Sequence, residues 1–174
     1  MGPAQAAQAA SEAQPAQMRL LVVAVGERMP GWVDEAFEEY AKRMPRGMKT
    51  ELIEIRPEPR SGGKPPERLM AAEAERIERA VPRGAFRVAL DERGREMTSG
   101  ELARWLEGRR RDGADVAFLI GGADGLAEGT KRGAQATLRL SAMTLPHGLA
   151  RVLLAEQLYR ASAILENHPY HRGG

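Results

Sequence analysis

Cysteine is absent from this 174-residue chain, which excludes a disulfide framework, a thiolate metal site, an iron–sulfur cluster and a cysteine nucleophile. Histidine is nearly as scarce. The three imidazoles, His147, His168 and His171, all fall in the last 28 residues, without zinc-ligand spacing and without a carboxylate cluster beside them. No resident metal is expected. Long apolar runs are missing too: the longest, such as Leu20–Val25, stop far short of the ~18 residues that suggest a spanning helix. No membrane partner is therefore expected, and the chain reads as soluble and cytoplasmic. Neither a G-x-G-x-x-G fingerprint nor a Walker loop occurs, which counts against a dinucleotide enzyme and a P-loop NTPase.

What is present is ordinary globular material. With 43% hydrophobic and 29% charged residues, wholesale disorder is excluded, and the length suits one domain with enough core to fold unaided. The net charge is only +2, yet 22 of the 26 basic residues are arginine. Arginine forks match phosphates better than lysine does, but a GC-rich coding bias explains the same excess equally well. So small a charge permits a nucleic-acid partner without demanding one.

Residues 1–17 are mainly Ala, Gln and Pro and read as a disordered tail, with Met18 as the point where structure begins. From there strands and helices alternate. Arg19–Val25 is a continuous apolar run, as expected of a strand buried on both faces. Pro30 opens a helix with Val33, Phe37, Tyr40 and Met44 on one face. Thr50–Arg56 alternates like a second strand, and the turn-rich Pro57–Pro66 stretch reads as a mobile loop. A second helix spans about 67–81, striped by Met70, Ala74, Ile77 and Val81. Ala85–Leu90 forms a third strand closed by Asp91. Thr98 and Glu101 have capping-box spacing and open a third helix. Asp115–Ile120 is a fourth strand running into Gly121-Gly122-Ala123-Asp124-Gly125, and Thr137–Leu140 is a fifth after a short helix. The last helix, about 147–165, aligns Ala150, Leu154, Leu158, Ala161 and Leu165, and a polar tail from Asn167 follows. The fold class is α/β, with a mostly parallel sheet flanked by helices.

In such sheets ligands sit beyond the carboxyl ends of the strands. Three ends stand out: Leu90-Asp91, Ile120-Gly121-Gly122, and Leu140 leading through Ser141 to His147. Glycines after a strand let backbone approach a ligand, although a tight turn accounts for them as well. In the tail, His168-Pro169-Tyr170-His171-Arg172 gathers two imidazoles, an aromatic ring and a guanidinium. That set suits stacking on a base and holding phosphate, and it equally suits a solvated chain end. Arg160 follows Glu156 by four residues, so a helix-surface ion pair explains it. The Arg109–Arg111 run suits a solvated helix end.

The order of these pieces resembles a family. V-A-V-G near the start, P-x-W, E-L-I-E-I, L-I-G-G-x-x-G-L, L-S-A-M-T-L-P-H, R-V-L-L-A-E-Q-L-Y-R-A and a terminal N-H-P-Y-H-R are similar to SPOUT-class methyltransferases that modify a pseudouridine of the large ribosomal subunit, the large subunit methyltransferase H family. The resemblance runs from Met18 to Arg172. It implies a C-terminal trefoil knot, which periodicity does not show and general topology rules disfavour, in a single domain over 18–174. It implies a homodimer and S-adenosylmethionine as methyl donor, held by Leu90, Gly121 with Gly122, and Leu140, Ser141, Ala142, Met143, Thr144 and Leu145. The implied reaction is methylation of N3 of pseudouridine 1915 in helix 69 of the 23S rRNA, within the 70S ribosome. A weakly acidic N3–H must lose its proton before N3 attacks, which an imidazole or a nearby arginine would assist. Arg160, His147 and His171 are the catalytic candidates, while His168, Tyr170, His171, Arg172 and Arg151 are candidates for holding RNA. The competing readings are a non-catalytic RNA-binding factor on the ribosome, a SPOUT methyltransferase acting on tRNA, and an unrelated nucleotide-binding α/β enzyme.

Overall fold

The sheet is built around two strands with no solvent-facing side. β1 (Leu20–Val25) and β4 (Val116–Ile120) are buried at every residue, which is why both read as unbroken apolar runs. Around them the five strands order as β2-β1-β4-β3-β5, and every ladder is parallel. β2 is Thr50–Ile55, β3 Phe86–Glu96 and β5 Ala136–Arg139. Leu20 pairs with both Thr50 and Val116, and Phe86 also pairs with Val116, so these strands start level and their carboxyl ends share one edge. The computed structural model describes residues 16–172, so the expectation for the N-terminal tail falls, but for residues 16 and 17, outside the described residues.

Alternate side chains of a strand point to opposite faces, and two apolar layers result. Leu20, Val22, Ala24, Val116 and Phe118 pack against α1 (Gly31–Ala41), α3 (Ser99–Asp112) and α5 (His147–Leu165), through Phe37, Leu106, Leu154 and Leu158. Leu21, Val23, Ala117 and Leu119 face α2 (Pro66–Ala80) through Ile77, and Leu126 just before α4 (Glu128–Gly133). Met18 is buried and donates its backbone N–H to Gly47 O at 2.9 Å, which joins it to the core. The capping box is formed: Glu101 N–H donates to Thr98 Oγ1 (3.1 Å) and Thr98 N–H to Glu101 Oε2 (2.7 Å). Gly113, at φ 74°, closes the same helix in the left-handed conformation.

Three expectations change. β3 does not stop at Leu90: residues 91–94 loop out and pairing resumes, Leu138 facing first Leu90 and then Arg95. Gly94 permits this, because a Cβ there would lie 2.6 Å from the Leu138 carbonyl carbon. Met44 lies beyond α1, which ends at Ala41, and still packs on the core. The Pro57–Pro66 loop is tied down by side chains. Glu58 accepts from Arg76, and Arg60 pairs with Glu73 and Asp124. Glu73 is itself buried on α2, where the apolar stripe gave no hint of a charge.

Candidate functional site

One cavity of about 640 Å³ opens where the carboxyl ends of β3, β4 and β5 meet the first turn of α5. Leu90, Gly121, Gly122, Leu140, Ser141, Ala142, Met143, Thr144 and Leu145 all line it. Its walls are shaped by local bonds. Gly125 N–H closes a turn onto Gly122 O at 3.0 Å, with Gly125 at φ 81°. Gly121 has no room for a side chain, since a Cβ would come 2.3 Å from the Gly125 carbonyl carbon and 2.5 Å from Leu126 N. In the other wall, Ser141 Oγ accepts from Met143 N–H (2.9 Å), while Arg139 Nε donates to Ser141 O (3.1 Å). The cavity also takes in Asp91, Arg93, Asp124, Lys131 and His147. Lys131 and Asp91 pair at 3.4 Å. Asp91 was visible as a strand-closing residue, whereas Arg93 and Lys131 had no signal, because the four-residue bulge that carries Arg93 to the rim depends on pairing with β5.

The tail residues gather elsewhere. Asn167 takes φ 54° and His168 N–H reaches back to Ala163 O at 2.7 Å, which stops α5; Pro169 then forbids its continuation. The chain turns into a 3-10 segment, Pro169–Arg172, that lies back on the helix. Tyr170 packs on Tyr159 with ring centroids 4.6 Å apart, and its hydroxyl donates to Glu156 Oε1 at 3.0 Å. Arg160 binds the same oxygen from Nε (2.9 Å) and stands 5.0 Å over the Tyr170 ring. His171 Nδ1 donates to His168 O at 2.5 Å, and Arg172 donates to Asn167 Oδ1 at 3.2 Å. The bond to Glu156, and then its charge, raise the Arg160 guanidinium above its ordinary value. Burial first, then the bonds to Glu156 and Tyr40, push the Tyr170 phenol well above the usual tyrosine range.

Within one chain the catalytic candidates are therefore split. His147 is at the cavity, and Arg160 lies thirteen residues further along α5, about 20 Å at the helical rise. His171 sits beyond it on the tail. Arg151 is corrected outright. Its side chain is 0% exposed, donating to Glu54 Oε2 and to Gly26 O, each at 2.8 Å, so it ties α5 to β1 and β2 and presents nothing to an RNA.

A family model described as "Predicted SPOUT methyltransferase" matches residues 18–171. The chain belongs to the SPOUT methyltransferase family. Among the relatives of this SPOUT methyltransferase are proteins named "Ribosomal RNA large subunit methyltransferase H" from Burkholderia cenocepacia (strain HI2424) and Bordetella pertussis (strain Tohama I), each 59% identical over 155 residues. Those 155 residues are 89% of this chain and 99% of each relative. Among solved structures, a "Probable Methyltransferase from Bordetella pertussis Tohama I" superposes with a TM-score of 0.54 at 19% identity, covering 86% of this chain and 96% of that one. A probable methylase family protein from Haemophilus influenzae gives 0.51 at 16% identity over 88% of this chain and 69% of that one. These two bear on the fold alone. Among the described residues of the methyltransferase, no helix is long and apolar enough to cross a membrane, and no group of three or more metal-ligating side chains occurs.

Proposed function

We propose that this methyltransferase transfers a methyl group from S-adenosylmethionine to N3 of pseudouridine 1915 in helix 69 of the 23S rRNA. In this reading residues 18–174 form one knotted catalytic domain that works in the cytoplasm as a homodimer, on the assembled 70S ribosome. The observation that carries it is the convergence of Leu90, Gly121 and Leu140–Leu145 on one cavity, in a chain 59% identical to proteins named for methylation of large-subunit rRNA.

The cavity suits such a donor. Its volume is that of a small-molecule site, and its lining mixes apolar side chains (Leu90, Ile120, Leu138, Leu140) with backbone polar groups and the carboxylates of Asp91 and Asp124. When bound, S-adenosylmethionine supplies an electrophilic methyl group on a sulfonium centre. The chain's own residues do the rest: the 121–125 turn and the 140–145 loop bind and orient the donor, and His147 at the rim is placed to accept the N3 proton. Arg160 and Tyr170 do not share that role. The Arg160 guanidinium is cationic and the Tyr170 phenol is a hydrogen-bond donor across the neutral range, and the shared Glu156 orients both, so they stabilise developing negative charge and hold the acceptor.

The ~20 Å between His147 and Arg160 favours a site completed by the tail of a second copy. Trp32 (54% exposed) and Met143 (80% exposed) supply apolar surface for that copy near the start of α5. The test is incubation with methyl-labelled donor and 70S ribosomes, free subunits or naked rRNA, followed by mapping of the label. Label at N3 of that pseudouridine in 70S ribosomes is expected, and label in none of the three substrates overturns the reading.

A further inference from the structure

The loop between β2 and α2 is far from the donor loops in sequence, yet one arginine joins them. Arg60 Nη1 donates to the buried Glu73 Oε1 and to Glu58 O (2.7 Å), while Nη2 donates to Asp124 Oδ2 at 3.0 Å. Asp124 belongs to the turn that lines the donor cavity. Glu73 is 2% exposed and is fixed from the other side by Glu58 N–H at 3.0 Å. Its second oxygen, Oε2, has no partner among the described residues and sits against the same turn, 3.4 Å from where a Cβ on Gly122 would lie. A planar fork can span two carboxylates in a fixed geometry, which a point charge cannot. The turn itself is glycine-rich, and within it Gly125 N–H donates to Gly122 O among the described residues.

The geometry points to Arg60 as a positioning residue for methyl-donor binding, holding the Gly121–Gly125 turn in place by bridging the buried Glu73 to Asp124. The inference rests on the donor-site reading above, and it gives the Pro57–Pro66 loop a role in the reaction that no side chain of that loop could play by contact with the cavity. Hydrogen bonding to Glu73 also raises the Arg60 guanidinium above its ordinary value.

Arg60→Ala alone would strand the Glu73 charge and risk unfolding. The informative variant is Arg60→Met with Glu73→Gln: no buried charge is left over, the amide oxygen that replaces the carboxylate still accepts from Glu58 N–H, and Asp124 loses its tether. Titration calorimetry with S-adenosylmethionine, without RNA, should show roughly 3- to 30-fold weaker binding, with a melting temperature close to that of the unaltered protein. Asp124→Asn should weaken binding in the native background and add little in the double-variant background, since the tether is already cut. Arg60→Lys should keep the melting temperature and fail to restore donor affinity. Native affinity in the double variant would overturn the inference, and so would a full additional loss from Asp124→Asn, which would give that carboxylate a direct contact instead. No binding by the unaltered protein would sink the donor site itself, and the inference with it.

Discussion

The two ends of α5 are built on different plans. At its start, three loops from separate strands converge on one cavity, and the walls are mostly backbone, shaped by glycines and by the Ser141 turn. At its finish, one short segment folds back on its own helix and is held by side chains: Tyr170 on Tyr159, with Glu156 shared by Tyr170 and Arg160. A cavity made of backbone tolerates little change of shape, whereas a side-chain cluster can be dismantled one group at a time. The first plan suits a small ligand of fixed form, the second a large acceptor that must dock and leave.

The largest effect should come from the rigid end. Gly121→Val puts a side chain where a Cβ alone would meet the Gly125 and Leu126 backbone within 2.5 Å. Backbone cannot step aside as a flexible side chain can, so donor binding should fall below detection in calorimetry. The same overpacking should cost about 1–3 kcal/mol of stability, so the change is not a silent probe of binding. Native titration heat from this variant would break the contrast between the two ends.

Next in size is a test of whether the two ends meet across chains. Light scattering should give about twice the 19.0 kDa chain mass. Gly121→Val retains the tail but loses the donor cavity, and removal of Tyr170–Gly174 does the reverse. Gly121→Val alone should not methylate ribosomes and the truncation alone should do so only weakly, but co-refolded mixtures should regain activity, because a mixed dimer holds one intact cavity facing one intact tail. No recovery in verified mixed dimers would mean that tail and cavity serve each other within one chain.

The tail truncation by itself should leave donor affinity nearly unchanged, and should lower the melting temperature by more than loss of the Tyr170 hydroxyl alone, since the packing on Tyr159 goes with it. Methylation at limiting ribosome should drop roughly 5- to 150-fold, the cost of one lost stacking contact. Unaltered methylation would return the segment to the status of a helix cap.

The three strand ends at the cavity were legible in the sequence because each is a short contiguous segment where an apolar run stops at a turn, while the nine residues named there came from the family resemblance. Every one of the nine expected positions lines the cavity. The acceptor end was not legible, because what decides it is distance and burial. Arg151 reads like any other helix arginine, and only the fold shows it sealed between Glu54 and Gly26. Glu73 was hidden in an apolar stripe for the same reason, and the β3 bulge depends on β5, which lies forty residues on. The alternating pattern reached the five parallel strands but not their order, and the knot belongs to the family resemblance, since strand order is silent on threading.

The smallest expected effect separates packing from proton transfer at the tail. Tyr170 has its phenol pKa raised by burial, and further by Glu156 and Tyr40. A raised acid favours the protonated form in the folded state, so its contribution is complete below the ordinary tyrosine value of about 10 and is lost as pH climbs past it. Across the neutral range the tail should stay docked and Tyr170 should stay a hydrogen-bond donor. Tyr170→Phe keeps the ring against Tyr159 and gives up only the hydroxyl, which should cost about 1 kcal/mol or less, a fall in melting temperature of roughly 2–4 °C. Alkaline titration of tyrosinate absorbance should lose its highest-pH component in this variant. The pH profile of methylation should keep its shape, whereas His147→Gln should flatten it, because imidazole is the side chain suited to take a proton near neutrality. A profile reshaped by Tyr170→Phe and indifferent to His147→Gln would move the proton acceptor from the donor end of α5 to its tail.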